Sequence, residues 1–294
     1  MEENKFAKKI TGTRADIAAG VEISKVHGGY FSSKKNVEEF IRIGIEPIEK
    51  NLPKELVYLD YGGGEGILSE EVSNHLISKG HKVKAIVVDA NPKYLEVAKG
   101  RGLFTELSNI QESKIKSANL ITMRAVIHYN NQENQQGIFN KVFQTLTKGG
   151  YLVNQVSSGS KENCELRSAI VNIPSLGRAV SNEVYRWTSE SDCIEMLKKA
   201  GFKENVLAGY APKNDWSPEE QWDRFNKNKT EKARENKDEK ELKDIKEKME
   251  KYLKEANKLI ESYTEKFSNS NLGVIKKDET YTINYTYPII ISRK

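Results

Sequence analysis

A glycine-rich loop at residues 61–66 limits the folds open to this chain more than any other segment. It follows the apolar run 56–59 and precedes residues 67–77, whose apolar side chains recur at helical spacing. An apolar strand, a tight glycine turn and an amphipathic helix, in that order, form the first unit of a nucleotide-binding α/β sheet. The sequence therefore predicts a parallel sheet whose first strand ends at this loop.

The spacing within the loop indicates what kind of ligand it holds. One acid and four glycines occur in the order Asp60, Gly62, Gly63, Gly64 and Gly66. A dinucleotide loop, Gly-x-Gly-x-x-Gly, would need its third glycine where Ile67 stands. A dinucleotide site also binds a pyrophosphate at the helix N-terminus, whereas Asp60 places a carboxylate at the strand end. We therefore expect a ligand that carries an ammonium or sulfonium charge.

A second acidic strand end supports this interpretation. Residues 84–89 have the pattern of a buried strand that ends in Asp89, and a helical pattern follows. In nucleotide-binding βαβ folds, an acidic residue about 20 residues beyond the glycine loop binds the ribose hydroxyls. With loop and acid in register, the chain resembles the class I S-adenosylmethionine-dependent methyltransferases over about residues 56–213, with a last strand near 280–292.

This resemblance implies the fold, the cofactor and the reaction. The fold would be a Rossmann-like α/β sheet of seven mostly parallel strands with an antiparallel last strand. S-adenosylmethionine would bind at the loop, and S-adenosylhomocysteine would be the product. The methyl group would pass to an O, N or C nucleophile of a small or medium-sized molecule. Beyond the loop and Asp89, the resemblance implies cofactor contacts from Ala90, Asn109, Ile110, Arg124 and Ala125.

The chain divides into three predicted parts. Residues 1–52 form a helical leader, residues 53–213 and 272–294 form the cofactor-binding sheet domain, and residues 214–271 form a helical insertion. A long amphipathic helix is predicted from about 230 to 267 within the insertion. Its apolar stripe is too narrow to enclose a core of its own, so it should pack on the sheet domain, on the leader or on a second copy. We expect the insertion to act as a lid or as a homodimer contact.

Two short features refine this outline. Ser32 or Ser33 is the expected N-cap of a helix in the leader, with the apolar residues that follow on one face. The last strand contains Pro288, which cannot donate a ladder hydrogen bond. We therefore expect a bulge or two short segments at that position.

The acceptor side of the site offers five candidate side chains. His128 follows the fourth predicted strand and could accept a proton from an acceptor hydroxyl or ammonium group. The alternative for His128 is a packed residue at the start of a helix. Tyr30, Phe31, Tyr129 and Trp216 could form the walls of an acceptor pocket, although aromatic side chains also serve as ordinary core.

Composition and charge exclude several other kinds of protein. The net charge is +5, but lysines alternate with glutamates, so no basic face for a nucleic acid is indicated. The two cysteines have no metal-ligand spacing, and no metal is expected. No apolar run is long enough to cross a membrane, and the first residues lack a signal-peptide pattern, so we expect a cytoplasmic protein.

Two other functions stay open at this point. An RNA or protein methyltransferase would have the same fold, but residues 124–127 do not carry the Asn-Pro-Pro-Tyr or Asp-Pro-Pro-Tyr sequence of many nucleic-acid methyltransferases. A cofactor-binding interaction module without catalysis is the second alternative. The intact combination of Asp60, the glycines and Asp89 argues against that alternative.

Overall fold

One mixed sheet organises the part of the chain that this computed structural model describes, namely residues 30–177, 184–268, 271–278 and 280–294. Its strands are β1 Glu55–Tyr61, β2 Lys82–Asp89, β3 Phe104–Leu107, β4 Ala118–Arg124, β5 Leu146–Gln155, β6 Glu204–Trp216, β7 Val274–Lys277 and β8 Thr280–Arg293. They lie in the order β3-β2-β1-β4-β5-β8-β6, with β1 to β5 parallel and β8 antiparallel to both neighbours. The predicted Rossmann-like sheet of seven strands is confirmed. The short β7, which pairs with β8, is an eighth strand that was not predicted.

Helices alternate with the parallel strands and then form the insertion. They are α1 Lys34–Phe40, which continues as a π-helix at Ile41–Ile45, α2 Ile67–Ser78, α3 Pro92–Gly100, α4 Gln132–Thr145, α5 Lys161–Val171, α6 Glu190–Ala200, α7 Pro218–Glu235 and α8 Glu239–Lys266. Parallel strands need such crossover connections, which explains the alternation from β1 to β6. None of the described helices is long and apolar enough to cross a membrane.

Two buried apolar clusters cover the two faces of the sheet. Tyr58 of β1 belongs to the first cluster and Leu59 to the second, as the alternation of side chains along a strand requires. The first cluster includes side chains from the leader, α2, α5 and the insertion, and the second includes α4 and α6. Because the parallel strands end at the same edge, the loops after β1, β2, β4 and β5 meet there.

The leader packs on the sheet where a glycine lets it come close. α1 begins after Ser33, one of the two residues predicted to cap it, although the Ser33 side chain makes no capping hydrogen bond. A Cβ atom added to Gly44 in the π-helical segment would lie 2.5 Å from the Val153 Cγ1 atom of β5. A larger residue at position 44 would therefore push the leader off the sheet. Residues 1–29 of the predicted leader lie outside the described residues.

The insertion packs its apolar stripe on its own chain. The Ser217 side chain accepts from the Glu220 backbone N–H, and the Glu220 side chain accepts from the Ser217 N–H, so α7 begins with a capping box. α8 buries Ile245, Tyr252, Ala256 and Ile260. α7 and α8 lie against each other and against the 3-10 turn Pro174–Leu176, and α8 also contacts α5. The apolar stripe was predicted to pack on the sheet domain, on the leader or on a second copy, and in the structure it packs on the sheet domain.

The bounds of the insertion differ from the predicted ones. β6 continues through Trp216, three residues into the predicted insertion, and the chain between α7 and α8 breaks the single long helix predicted from about 230 to 267. Lys237 at this break has a φ of 52°, which a helix does not allow. Asp238 then caps α8 by accepting from the Glu241 N–H.

The bulge or interruption expected in the last strand is absent from β8. Pro288 lies opposite Tyr210 of β6, and its carbonyl accepts from the Val156 N–H. The N–H and C=O of one strand residue point to the same neighbour, so the missing N–H of Pro288 faces β5 where that ladder ends at Gln155. No bond to β6 is lost, and the register shifts occur in β6 instead.

Candidate functional site

The glycine loop adopts a backbone conformation that favours glycine at three positions. Gly62, Gly64 and Gly66 have φ angles of 69°, 56° and 76°, in the left-handed region. Space is also limiting: a Cβ on Gly62 would lie 2.5 Å from the Val126 Cγ2 atom, and a Cβ on Gly66 would lie 2.5 Å from the Leu103 Cδ1 atom. The loop therefore lies directly against the loop that follows β4.

Asp60 lies beneath this loop. Its Oδ2 accepts a hydrogen bond of 2.6 Å from the Ser69 hydroxyl, and its Oδ1 accepts one of 2.7 Å from the Thr122 hydroxyl. A Cβ on Gly63 would come within 2.6 Å of Asp60 Oδ2. Burial raises the pKa of Asp60, while the two hydroxyls and the charge of Arg124 oppose that rise. Asp60 thus joins β1, α2 and β4, and a direct contact with the ligand stays a prediction.

Asp89 lies at the end of β2 and shapes the loop from the other side. Its Oδ2 accepts from the Gly64 N–H at 2.9 Å, and its Oδ1 accepts from the Asn91 N–H at 2.8 Å. Burial raises the pKa of Asp89 to about 6, with a smaller contribution from the negative charge of Asp60. The group is therefore mainly ionised at neutral pH, as a ribose-binding carboxylate needs to be.

A cleft that is partly open to solvent runs along the carboxyl ends of β1, β2, β3 and β4. Five of the predicted cofactor residues line it: Gly62, Asp89, Ala90, Asn109 and Ile110. Val88, Val126 and Ile138 supply apolar walls that suit a flat aromatic base. The sequence analysis missed other residues of the lining, which lie in the segments after β3 and β4, namely Ser108, Gln111 and Asn130.

Arg124 and Ala125 lie at the end of β4, beside the loop. Ala125 has a φ of 57°, an unusual conformation for a residue other than glycine and one that is found at functional sites. The Arg124 Nη2 donates to the Phe31 carbonyl, and its guanidinium lies 5.3 Å from the centre of the Phe31 ring. Its Nη1 is buried and has no hydrogen-bond partner among the described residues. Burial lowers the pKa of Arg124 to about 10, so the side chain is still a cation at neutral pH.

Tyr30 and Phe31 of the leader cover the region beside Arg124. The Tyr30 ring stacks on Tyr287 of β8 at 4.3 Å, and the Phe31 ring meets Tyr287 edge-on at 5.6 Å. The hydroxyls of Tyr285 and Tyr287 lie 3.0 Å apart. The two predicted acceptor-side aromatics therefore lie against a pair of β8 tyrosines that the sequence analysis did not single out.

His128 is enclosed by aromatic rings. It is 1% exposed, its ring is parallel to that of Trp187 at 5.3 Å, and the Tyr129 ring lies 4.2 Å away. Neither ring nitrogen has a hydrogen-bond partner among the described residues. Burial, and then the charges of Arg224 and Arg167, hold the pKa of His128 well below its usual range. The imidazole is therefore neutral, and its role as a base stays a prediction.

The insertion reaches this aromatic cluster, which consists of His128, Tyr129, Tyr185 and Trp187. The Arg224 Nη2 of α7 donates to the Tyr129 hydroxyl at 3.1 Å, and the Phe225 ring lies 6.4 Å from Tyr185. Tyr129 also lines the cleft, so the cleft and the cluster share this ring. The predicted residue Trp216 is buried at the end of β6, and no described ring contact joins it to the cluster. Its role in acceptor binding stays a prediction.

Comparison with solved structures shows the same fold in several proteins, among them proteins described as methyltransferases. A candidate methyltransferase from Bacillus halodurans superposes with a TM-score of 0.59 at 17% identity, covering 88% of this chain and 99% of that one. The YcgJ protein from Bacillus subtilis has a TM-score of 0.56 at 14% identity, covering 89% and 99%. A 1,6-didemethyltoxoflavin-N1-methyltransferase from Burkholderia thailandensis, solved with 1,6-didemethyltoxoflavin and S-adenosylhomocysteine, has a TM-score of 0.51 at 13% identity, covering 97% and 90%.

Comparison of the sequence itself shows the family. The search of curated proteins finds no match. A family model described as "Methyltransferase domain" matches residues 33–207, which is more than half of the chain and includes the loop, Asp89 and Arg124. The chain therefore belongs to the methyltransferase domain family, as a class I S-adenosylmethionine-dependent methyltransferase.

Proposed function

We propose that this protein methylates an O, N or C nucleophile of a small or medium-sized molecule. The observation that supports this choice is the enclosure of the acceptor side. His128, Tyr185, Trp187 and Tyr287 are at most 4% exposed, and the leader and the insertion pack over them. A small molecule fits such a site, whereas a folded RNA or protein needs an open surface.

The residues of the cleft fit S-adenosylmethionine. Asp89 would accept from the ribose hydroxyls, while Asn109 and Ile110 would contact the adenine. The orphaned Nη1 of Arg124 would bind the carboxylate of the amino-acid portion. Asp60 would act on the ammonium through its charge. A residue with a Cβ atom at position 62 or 66 would collide with the side chain of Val126 or Leu103, respectively.

The protein's own contribution to the reaction is alignment and exclusion of water. Bound S-adenosylmethionine supplies an electrophilic methyl group on a sulfonium, so no further activation of the donor is needed. The chain has to hold the acceptor atom about 3 Å from that carbon, in line with the departing sulfur. Tyr30, Phe31 and Tyr129 would exclude water at this point. His128 would receive the acceptor's proton, because a neutral imidazole has a free lone pair.

The insertion would serve as the wall or lid of the acceptor site. Arg224 and Phe225 of α7 contact the aromatic cluster, and α8 packs on α7, on α5 and on the 3-10 turn at Pro174–Leu176. A homodimer through α8 and a cytoplasmic location stay predictions. The burial of the α8 stripe within the chain removes the apolar surface on which the dimer was predicted.

The Burkholderia enzyme supports a small acceptor by its crystallised ligand. It was solved with 1,6-didemethyltoxoflavin, a small molecule, together with S-adenosylhomocysteine. At 13% identity the likeness extends to the fold alone, so it supports the size of the acceptor and says nothing of its structure.

The test is methyl transfer from labelled S-adenosylmethionine into a fractionated cell extract. We expect label in the small-molecule fraction, and none in RNA or protein. Labelling of RNA or protein alone would replace the proposed acceptor class. Binding of S-adenosylhomocysteine without label in any fraction would favour a binding module without catalysis.

A further inference from the structure

We infer that the acceptor is an anion whose carboxylate or phosphate group binds the buried guanidinium of Arg167. This inference rests on the proposed function, because it names the chemical class of the small molecule that receives the methyl group. It depends on the environment of Arg167, a residue that neither the sequence motifs nor the cofactor cleft includes.

Arg167 lies in the middle of α5 and is 1% exposed. Its Nη2 donates to the Ser157 hydroxyl at 2.6 Å. Its Nε and Nη1 are buried and have no hydrogen-bond partner among the described residues. The guanidinium lies 4.1 Å from the ring centre of Tyr285 and 4.8 Å from that of Trp187. Two N–H donors without a partner are thus held beside aromatic rings, and each of them can bind an oxygen of a carboxylate or phosphate group.

No acid among the described residues compensates the charge of Arg167. Among the described residues it forms no ion pair, and the groups that act on its charge are the Cys164 thiol and the hydroxyls of Tyr285 and Tyr287. Burial raises the pKa of the Cys164 thiol, so that group is neutral at pH 7. A guanidinium stays protonated in proteins, and a buried charge without a partner destabilises the folded state. An anionic ligand would remove this destabilisation.

The position of Arg167 places it on the acceptor side of the site. Tyr129 lines the cofactor cleft, its ring lies against His128, and His128 stacks on Trp187, which in turn lies under Arg167. The order from the cleft outward is therefore Tyr129, His128, Trp187 and Arg167. In this series of contacts His128 and Trp187 lie between Tyr129 and Arg167, so the anionic group and the reacting atom would be different parts of one acceptor.

Two further polar groups near this position support a polar ligand. Gln155 ends β5, two residues before Ser157, and both atoms of its amide are buried without a hydrogen-bond partner among the described residues. Both ring nitrogens of His128 are likewise buried without a hydrogen-bond partner among the described residues. Buried polar groups normally have partners, so the unpartnered atoms of Gln155 and His128, like those of Arg167, leave hydrogen-bonding capacity for a ligand. Arg124, whose guanidinium lies beside Phe31, is assigned above to the cofactor.

The first experiment uses inorganic phosphate as the probe, with S-adenosylhomocysteine present. At about ten times its Kd, phosphate should raise the Tm of the wild-type protein by about 3–6 °C relative to sodium chloride of equal ionic strength. Arg167→Met should abolish this rise, and Arg167→Lys should keep part of it. Arg42→Met, at an exposed arginine of the leader, should respond as the wild type does. The absence of a rise in the wild type, or an equal rise in Arg167→Met, would overturn the inference.

The Tm without phosphate separates a ligand-binding role from a structural one. If Arg167 is kept for a ligand, an apolar side chain of similar length removes an uncompensated buried charge, and the Tm of Arg167→Met should equal or exceed that of the wild type. A structural arginine would give a lower Tm on the same substitution. That lower Tm, together with a phosphate response retained in Arg167→Lys at the wild-type level, would count against the inference.

The second experiment identifies the class of the product. Labelled product from the small-molecule fraction of the extract should bind to an anion exchanger at pH 7. The Arg167→Met variant should form at least tenfold less of this product, while its affinity for S-adenosylhomocysteine should equal that of the wild type. A small labelled product that does not bind the exchanger would overturn the inference while the proposed function stands. Label in RNA or protein alone would overturn the proposed function, and the phosphate experiment would then decide the role of Arg167.

Discussion

Replacement of Asp89 by asparagine is the most direct test of how the site binds its cofactor. Both carboxylate oxygens already accept backbone hydrogen bonds, from Gly64 and from Asn91, and the side chain is 6% exposed. Asparagine keeps the shape of the side chain but removes the charge and one acceptor oxygen. In either orientation the Nδ2 of the asparagine faces a backbone N–H, so the bond from Gly64 or the bond from Asn91 is lost, and the ribose loses its charged acceptor.

The size of the effect follows from the protonation state and the hydrogen bonds. With a pKa of about 6, roughly nine-tenths of the wild-type Asp89 is ionised at pH 7. Hydrogen bonds to a charged group contribute about 1.5–3 kcal/mol. Because each 1.4 kcal/mol changes Kd tenfold, Asp89→Asn should weaken the binding of S-adenosylhomocysteine by about 10- to 150-fold.

Isothermal titration calorimetry at pH 7 and 25 °C measures this difference. Asp244→Asn is the matched control, because Asp244 is an exposed residue of α8 that pairs with Lys248, and its Kd should equal that of the wild type. The circular dichroism spectrum of Asp89→Asn should match the wild-type spectrum. A Kd within about twofold of the wild-type value in a folded Asp89→Asn protein would refute the assignment of the ribose to Asp89.

Three further predictions follow from the same geometry. The pKa of Asp89 in the free protein is raised to about 6, and the ribose hydroxyls need the ionised form of this group. Affinity for S-adenosylhomocysteine should therefore fall about tenfold between pH 7 and pH 5. Calorimetry should find no such fall in Asp89→Asn. Gly62→Ala should lower the free energy of unfolding by about 1–3 kcal/mol in urea titrations and weaken cofactor binding, because the φ of 69° and the contact with Val126 both oppose a Cβ. Gly100→Ala, at the end of α3 with no atom within 4 Å of the new Cβ, should leave both properties unchanged, and losses of equal size in the two variants would contradict this account. Replacement of residues 218–268 by a short linker should abolish methyl transfer in the extract assay and retain binding of S-adenosylhomocysteine, whereas full turnover after this deletion would exclude a lid.

The parts of the fold that could be predicted are those encoded by neighbouring residues. The loop after β1 and the acid at the end of β2 each depend on a few consecutive residues, so their spacing was readable. The break between α7 and α8 was missed because the segment contains no glycine or proline, although Asp238 followed three residues later by Glu241 is a helix-start pattern. β7 was missed because its four residues are mostly exposed and lack an alternating apolar pattern.

The parts of the site that could not be predicted depend on distant residues meeting in space. Arg167, Trp187 and Tyr285 come from three separate segments, and nothing in their local sequence indicates that they meet. The chain has 47 lysines and arginines, so an arginine that will be buried cannot be distinguished from an exposed one by type. Gln155 is similarly ordinary in sequence, and only the structure shows that both atoms of its amide lack partners.

The place of β8 in the sheet has a consequence for how the nascent chain acquires its structure. β6 has β8 as its neighbour, and β8 also closes the free edge of β5, yet the whole insertion is synthesised between β6 and β8. Until β8 is available, β5 and β6 both present unpaired backbone groups, and Val206 and Tyr210 of β6 add exposed apolar surface. Sheet closure is therefore a late step that joins strands distant in sequence, and the interval before it is the time at which unpaired strand edges are available to other chains.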